Sequence, residues 1–201
     1  MKIAITGTHG TGKTTLARAL AAKTGLPLIV EQARVVAAEM GLTNCNQLLN
    51  SPERAKAFQE RVLERQIAEQ IKHPEGFIAD RSTLDAIAYW KLYLGNTKSQ
   101  VSPGTKTDRY IYKARLHAWK GLDLLVYIPP VILGGEDEFR LKGHHIEVDL
   151  FIQQEVKLLR ESGRVQVVVL KSKTLDERLA EVEQAIGRLA AAANMGYAHT
   201  R

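Results

Sequence analysis

The sequence predicts an α/β protein built on a five-stranded parallel sheet with helices on both faces. Along the 201-residue chain, five short apolar segments alternate with longer segments of helical periodicity. Apolar strands separated in this way by helices belong to a sheet that is covered on both sides. A glycine-rich turn, Gly7 to Gly12, joins the first strand to the first helix.

Lys2 to Thr6 (Lys-Ile-Ala-Ile-Thr) reads as a buried strand ahead of that turn. A helix follows from about Lys13 to Lys23 and stops at Gly25, with Pro27 beyond it. Leu28-Ile29-Val30 is the second strand, and 32–40 form a helix that stops at Gly41. Residues 42–51 are polar and turn-rich. Ser51-Pro52-Glu53 opens the next helix, with serine as cap and proline in the first position. Phe58, Val62, Leu63, Ile67 and Ile71 share one face of it. Gly76 to Asp80 is a third strand that ends in an acid, followed by a helix over 82–94. The stretch 96–108 is a loop rich in Ser, Thr, Gly, Pro and Lys. A helix within 108–120 stops at Gly121. Leu122 to Ile128 is the fourth strand, closed by Pro129-Pro130. Val148, Ile152, Val156 and Leu159 then mark a helix at steps of four, four and three. Val165 to Leu170 is the fifth strand, and Leu175, Leu179, Val182, Ile186 and Leu189 lie in register on a last helix. Weak signals from 191 to 201 predict a fraying tail. No linker divides the chain, so 1–190 read as one domain and 191–201 as its C-terminal tail.

Composition excludes several classes. The chain carries 28 Lys+Arg against 22 Asp+Glu, a formal charge of +6. The cations are dispersed among acids. That suits acidic small molecules and argues against a nucleic-acid groove. The one cysteine, Cys45, makes no intrachain bridge. No apolar run reaches the ~18 residues of a membrane span, and the first residues meet a glycine turn too soon for a secretory signal. The expected location is the cytoplasm, with no membrane partner. These patterns leave the oligomeric state open.

The sharpest signal is Gly7-Thr8-His9-Gly10-Thr11-Gly12-Lys13-Thr14-Thr15, which fits G-x-x-x-x-G-K-[ST] at every fixed position between a strand and a helix. Backbone N–H groups must converge on phosphate oxygens in such a loop, and glycine permits the required angles. The helix N-terminus adds the positive end of its dipole. Lys13 supplies a charge to the outer phosphates, and Thr14 a hydroxyl to Mg²⁺. His9 contributes its N–H as a spacer. The motif, a Walker A sequence, predicts a three-layer P-loop NTPase fold that binds ATP or GTP. The usual guanine-reading Asn-Lys-x-Asp is missing from the sequence, so ATP is expected.

Ligands of an open parallel sheet bind at the carboxyl ends of its strands. Glu31 and Arg34 follow the second strand, and Asp80-Arg81-Ser82 with Asp85 follow the third. Asp80 stands where a carboxylate would hold Mg²⁺, alongside Thr14. Glu31 is either a base for an attacking hydroxyl or a partner of Arg34. Arg81 is placed to stabilise charge on a transferring phosphoryl group. Arg34 would meet a substrate anion or support Glu31. Asp85 is either a first-turn helix acid or a ligand contact. Tyr89, Trp90 and Tyr93 either pack in the core or line an acceptor pocket. Glycines at 134, 135 and 143 flank a small lid over about 131–145 that would bring Arg140 over the phosphates. Lys171 and Lys173 either flank the nucleotide base or are solvated.

Taken together, Gly7 to Thr15, Glu31-Gln32-Ala33-Arg34, Asp80-Arg81-Ser82 with Asp85, and Glu136 to Arg140 resemble the P-loop kinases of the nucleoside and nucleotide kinase group. More narrowly, the chain resembles the AAA-type ATPase/kinase family that includes the nicotinamide riboside kinase domain of bifunctional NAD-biosynthesis proteins. Asp80-Arg81-Ser82 is also similar to the acid-Arg-Ser motif of deoxynucleoside kinases. The resemblance implies an acid at Asp80 supporting Mg²⁺, an arginine at Arg81 meeting phosphate and the base carboxylate, and Glu31 as that base. It implies a Mg²⁺-ATP-dependent transferase that moves the γ-phosphoryl group to a nucleoside-like acceptor. The alternatives are a nucleoside monophosphate kinase, or an NTPase switch that uses water.

Overall fold

A computed structural model describes residues 1–44, 46–95, 104–130 and 144–198, with the backbone alone for 193–198. Five strands form one parallel sheet: β1 (Lys2–Thr6), β2 (Leu28–Ile29), β3 (Phe77–Asp80), β4 (Leu124–Tyr127) and β5 (Gln166–Val169). Their spatial order is β2-β3-β1-β4-β5. Ile5 is in register with Asp80, and Thr6 with Tyr127. The carboxyl ends of the three central strands therefore open on one edge, where the phosphate loop begins.

Strand side chains point alternately to opposite faces, and the buried clusters divide accordingly. Ile3, Ile5, Ile78, Leu124 and Val126 pack under α1 (Lys13–Thr24) and α8 (Leu175–Ala198), which contribute Leu16, Leu20, Val182 and Ala185. Ala4, Phe77, Ala79, Leu125 and Tyr127 face α4 (Pro52–Ile71), α5 (Thr83–Leu94), α6 (Lys106–Gly121) and α7 (His145–Glu161). The three layers expected from the sequence are present. A smaller cluster ties α2 (Gln32–Glu39) and α3 (Asn46–Leu49) to Ala55 and Phe58 of α4.

Local signals hold where they were strong. Ser51 Oγ accepts the Arg54 N–H, with Pro52 at the head of α4. Gly25 closes α1 in the left-handed region, φ 72°. Four boundaries differ from expectation. The stretch 42–51 contains α3, because Leu48 is fully buried and anchors one helical turn. α6 begins at Lys106, because Thr105 Oγ1 caps it by accepting the Asp108 N–H. α8 runs to Ala198 through the expected tail; the alanine run 190–193 favours helix without help from packing. β2 stops at Ile29, since the Val30 carbonyl is taken by the Gln32 side chain. Among the described residues no helix is long and apolar enough to cross a membrane.

Candidate functional site

The phosphate loop has the backbone its glycines were expected to supply. Gly7 has φ 146°, and a Cβ there would lie 2.5 Å from the Ile128 carbonyl oxygen. Gly12, at φ 89° and ψ 17°, precedes α1 in the left-handed region. Lys13 is 6% exposed, and its Nζ donates to the Thr8 carbonyl at 2.6 Å. Burial, and then the nearby Arg81 cation, lower the Lys13 ammonium to about 7. Thr11 Oγ1 braces the same Thr8 carbonyl at 3.0 Å.

Beside the loop, Thr14 Oγ1 donates to Asp80 Oδ2 at 2.6 Å. Asp80 is buried, and among the described residues its Oδ1 has no hydrogen-bond partner. Burial pushes its carboxyl above the ordinary value, against the pull of Thr14 and Arg81. A buried hard oxygen left over, next to a threonine hydroxyl, suits Mg²⁺. Asp80 does not cap α5. Ser82 does, accepting the Leu84 N–H in a reciprocal box with Asp85.

Arg81 organises the acids. It is the one non-glycine with positive φ, 88°, among the described residues. Its N–H donates to the Ile5 carbonyl, and its own carbonyl accepts from Gln66. The turn this imposes directs the guanidinium into the site. Nε meets Glu31 Oε1 at 2.6 Å, Nη1 meets Asp85 Oδ1 at 3.2 Å, and the group lies 5.2 Å from the Tyr89 ring centre. The second Glu31 oxygen accepts Arg34 Nε at 3.2 Å. Burial alone would raise Glu31, but Arg81 outweighs it and holds the carboxyl at about 2. The other Asp85 oxygen accepts from Thr6 Oγ1, Ser82 N and Ser82 Oγ at 2.7, 2.8 and 2.9 Å.

Glu31 titrates near 4.5 when unpaired and near 2 in the fold. Between those values the unfolded chain holds the extra proton. Its stabilisation is therefore complete above pH 4.5 and is lost as pH falls through 2. Acid unfolding of Glu31→Gln should show a shallower loss across this window. Slopes equal to those of the wild type would contradict the pairing.

A pocket of about 280 Å³ connects these groups. His9, Gly10, Gly12, Lys13, Thr14 and Thr15 form one wall, with Glu31, Arg34, Arg81 and Asp85 beside them. Beyond them the lining turns aromatic and amide-bearing: Phe58, Gln59, Val62 and Gln66 from α4, Tyr89 and Tyr93 from α5.

The family model described as an AAA domain matches residues 2–178. The chain belongs to the AAA domain family. Among solved structures, this AAA domain is similar to NadR in complex with NAD and AMP-PNP, at 21% identity and a TM-score of 0.65, over 92% of this chain and 49% of that one. NadR in complex with NR gives 22% identity and a TM-score of 0.65, over 90% and 50%. A deoxyadenosine kinase from M. mycoides with products dCMP and dCDP bound gives 18% and 0.62, over 94% and 100%. The likeness is one of fold, and the chain spans about half the length of NadR. No curated protein sequence matches it.

The AAA domain brings together most of the residues singled out in the sequence. The nine loop residues, Glu31, Arg34, Asp80, Arg81 and Asp85 all gather at the carboxyl edge of the sheet. Asp85 lies in the first turn of α5, fastens Arg81 and also lines the pocket. Arg140 and most of the lid expected over 131–145 fall on 131–143, outside the described residues, as does Cys45. At the head of α7, the last residue of the expected lid segment, His145, stands edge-on to His9, ring centres 6.0 Å apart. Of the three aromatics on α5, Trp90 stacks on Tyr110 in the core at 4.0 Å, while Tyr89 and Tyr93 line the pocket. Phe58 and Val62 read as core from their spacing. The missed signal on α4 was glutamine within an apolar face: Gln59 and Gln66 are 2% and 4% exposed. Lys171 and Lys173 are exposed.

Proposed function

We propose that this AAA domain is an ATP-dependent phosphotransferase whose acceptor is the hydroxyl of a nucleoside-like molecule. The supporting observation is the continuity of the pocket. A phosphate loop opens directly onto an aromatic- and amide-lined compartment, with the Glu31–Arg81 pair at the junction. Tyr89, Tyr93 and Phe58 suit a planar ring, and the Gln59 amide offers a donor and an acceptor to its polar edge. NadR bound to AMP-PNP and to NR, and the deoxyadenosine kinase bound to nucleotides, agree with this reading.

Lys13 and the loop amides would hold the donor's outer phosphates. Thr14 and Asp80 would hold Mg²⁺, which when bound draws charge from the phosphate oxygens. Arg81 would face the charge that develops as the phosphoryl group moves. Glu31, ionised at neutral pH, would orient the acceptor hydroxyl and take its proton. A carboxyl held at about 2 is a weak base. It takes the proton late, once bond formation to phosphorus has made the hydroxyl acidic. Arg34, on the same wall, also suits a monophosphate acceptor, which is already anionic and needs no base.

ADP release measured against a panel of nucleosides, nucleoside monophosphates and acceptor-free controls tests this reading. One nucleoside should raise ADP release well above the control. Release that ignores every acceptor would leave water as the acceptor and sink the proposal. With the active acceptor, Glu31→Gln should lower kcat about 10²-fold while ATP binding persists. Unchanged kcat would retire Glu31 as the base.

A further inference from the structure

The phosphate loop is held from outside by a residue that its own sequence does not contain. Arg178 lies in the first turn of α8, 167 residues along the chain from Thr11. Its Nη1 donates to the Thr11 carbonyl at 2.8 Å, and its Nε to the Ser172 carbonyl at 3.0 Å. One guanidinium thus joins the loop to the turn after β5. That turn is itself fastened: Glu181, one helical turn further along α8, accepts the Ser172 N–H at 2.9 Å and the Lys171 N–H at 3.2 Å. The contact with the loop is close, since a Cβ on Gly12 would lie 3.0 Å from Arg178 Nη1.

The consequence follows from peptide geometry. The Thr11–Gly12 bond is trans, so its C=O and N–H point to opposite sides of the peptide. Fixing the Thr11 oxygen against Arg178 turns the Gly12 N–H the other way, toward the pocket that Gly12 lines. Gly12 is in the left-handed region, where glycine has wide freedom. Without an outside contact that peptide can rotate and present its carbonyl, a repulsive group, to a phosphate. The sheet order sets the direction. Glu31 and Arg81 follow β2 and β3 on one side of β1, and Arg178 and Ser172 follow β5 on the other, so a donor nucleotide whose outer phosphates face Glu31 and Arg81 would extend toward Arg178.

We propose that Arg178 is a positioning residue for the donor nucleotide, holding the Gly12 N–H toward the phosphates by anchoring the Thr11 carbonyl; this rests on the reading of the loop as an ATP site. The test is calorimetric titration of AMP-PNP with Mg²⁺ into the wild-type chain, Arg178→Ala and Arg178→Lys, with a thermal melt of each. Arg178→Ala should bind about tenfold more weakly. Arg178→Lys, with no fork to span two carbonyls, should fall between. Guanidinium chloride at about 20 mM, against equal NaCl, should restore binding by Arg178→Ala and leave the wild type unchanged. Binding by Arg178→Ala within twofold of the wild type would overturn the proposal. So would weakened binding that guanidinium fails to mend and that tracks a lowered melting temperature, because that marks a structural role only. A wild type that does not bind AMP-PNP would refute the donor reading itself, and this inference with it.

Discussion

Arg81→Ala is expected to lower stability by about 3 kcal/mol and turnover by about a thousandfold. The guanidinium is 13% exposed and stands between Glu31, 17% exposed, and Asp85, 2% exposed. Removing it leaves two carboxylates facing each other in a largely dry site, and breaking a buried pair costs more than the pair contributes when intact. Asp85 keeps Thr6 and Ser82, so most of the loss falls on Glu31, whose remaining hydrogen bond among the described residues is to Arg34 on the surface side. The backbone adds a second, separable effect. At φ 88° both arginine and alanine are strained, whereas glycine is not. Arg81→Gly should therefore be about 1 kcal/mol more stable than Arg81→Ala, while equally inactive. Urea unfolding of both variants, paired with steady-state rates, separates the two effects. Equal stabilities would mean that the turn relaxes at no cost. Arg81→Ala as stable as the wild type would show that the charge cluster contributes nothing to folding.

The phosphate loop was legible because its geometry is written locally. Gly7 and Gly12 sit where the backbone must approach Ile128 or turn left-handed, and Lys13 and Thr14 follow directly. Glu31 and Asp80 were legible one step less directly, from their places at strand ends. What sequence could not supply was pairing across elements. Glu31 has both Arg34 and Arg81 as partners, and only the adjacency of β2 and β3 brings Arg81 to it. Tyr89 and Trp90 are neighbours in sequence. Which one packs in the core is decided by Tyr110 on α6, far along the chain. Gln59 and Gln66 look like polar interruptions of an apolar face until α5 is set opposite them. Arg178 carries no motif, and its role appears only once α8 is packed beside the loop.

Lys13→Ala is expected to reduce turnover about 10³-fold, and its pH behaviour distinguishes the cause from simple loss of fold. The Lys13 ammonium is buried, its Nζ donates to the Thr8 carbonyl, and it feels Arg81; burial first, then Arg81, lower it to about 7. Phosphate oxygens in the loop would favour the charged form and raise that value. Binding then draws a proton from solution wherever the free protein has lost it, which is above pH 7. With saturating Mg²⁺, which suppresses titration of the nucleotide's terminal phosphate, affinity for AMP-PNP should fall by up to about tenfold between pH 8 and 9. Calorimetry in two buffers of different ionisation enthalpy should show proton uptake approaching one. Lys13→Ala should bind weakly with no such slope, and Lys13→Arg, charged throughout, should show no slope either, whatever its affinity. A slope that persists in both variants would assign the titration to another group.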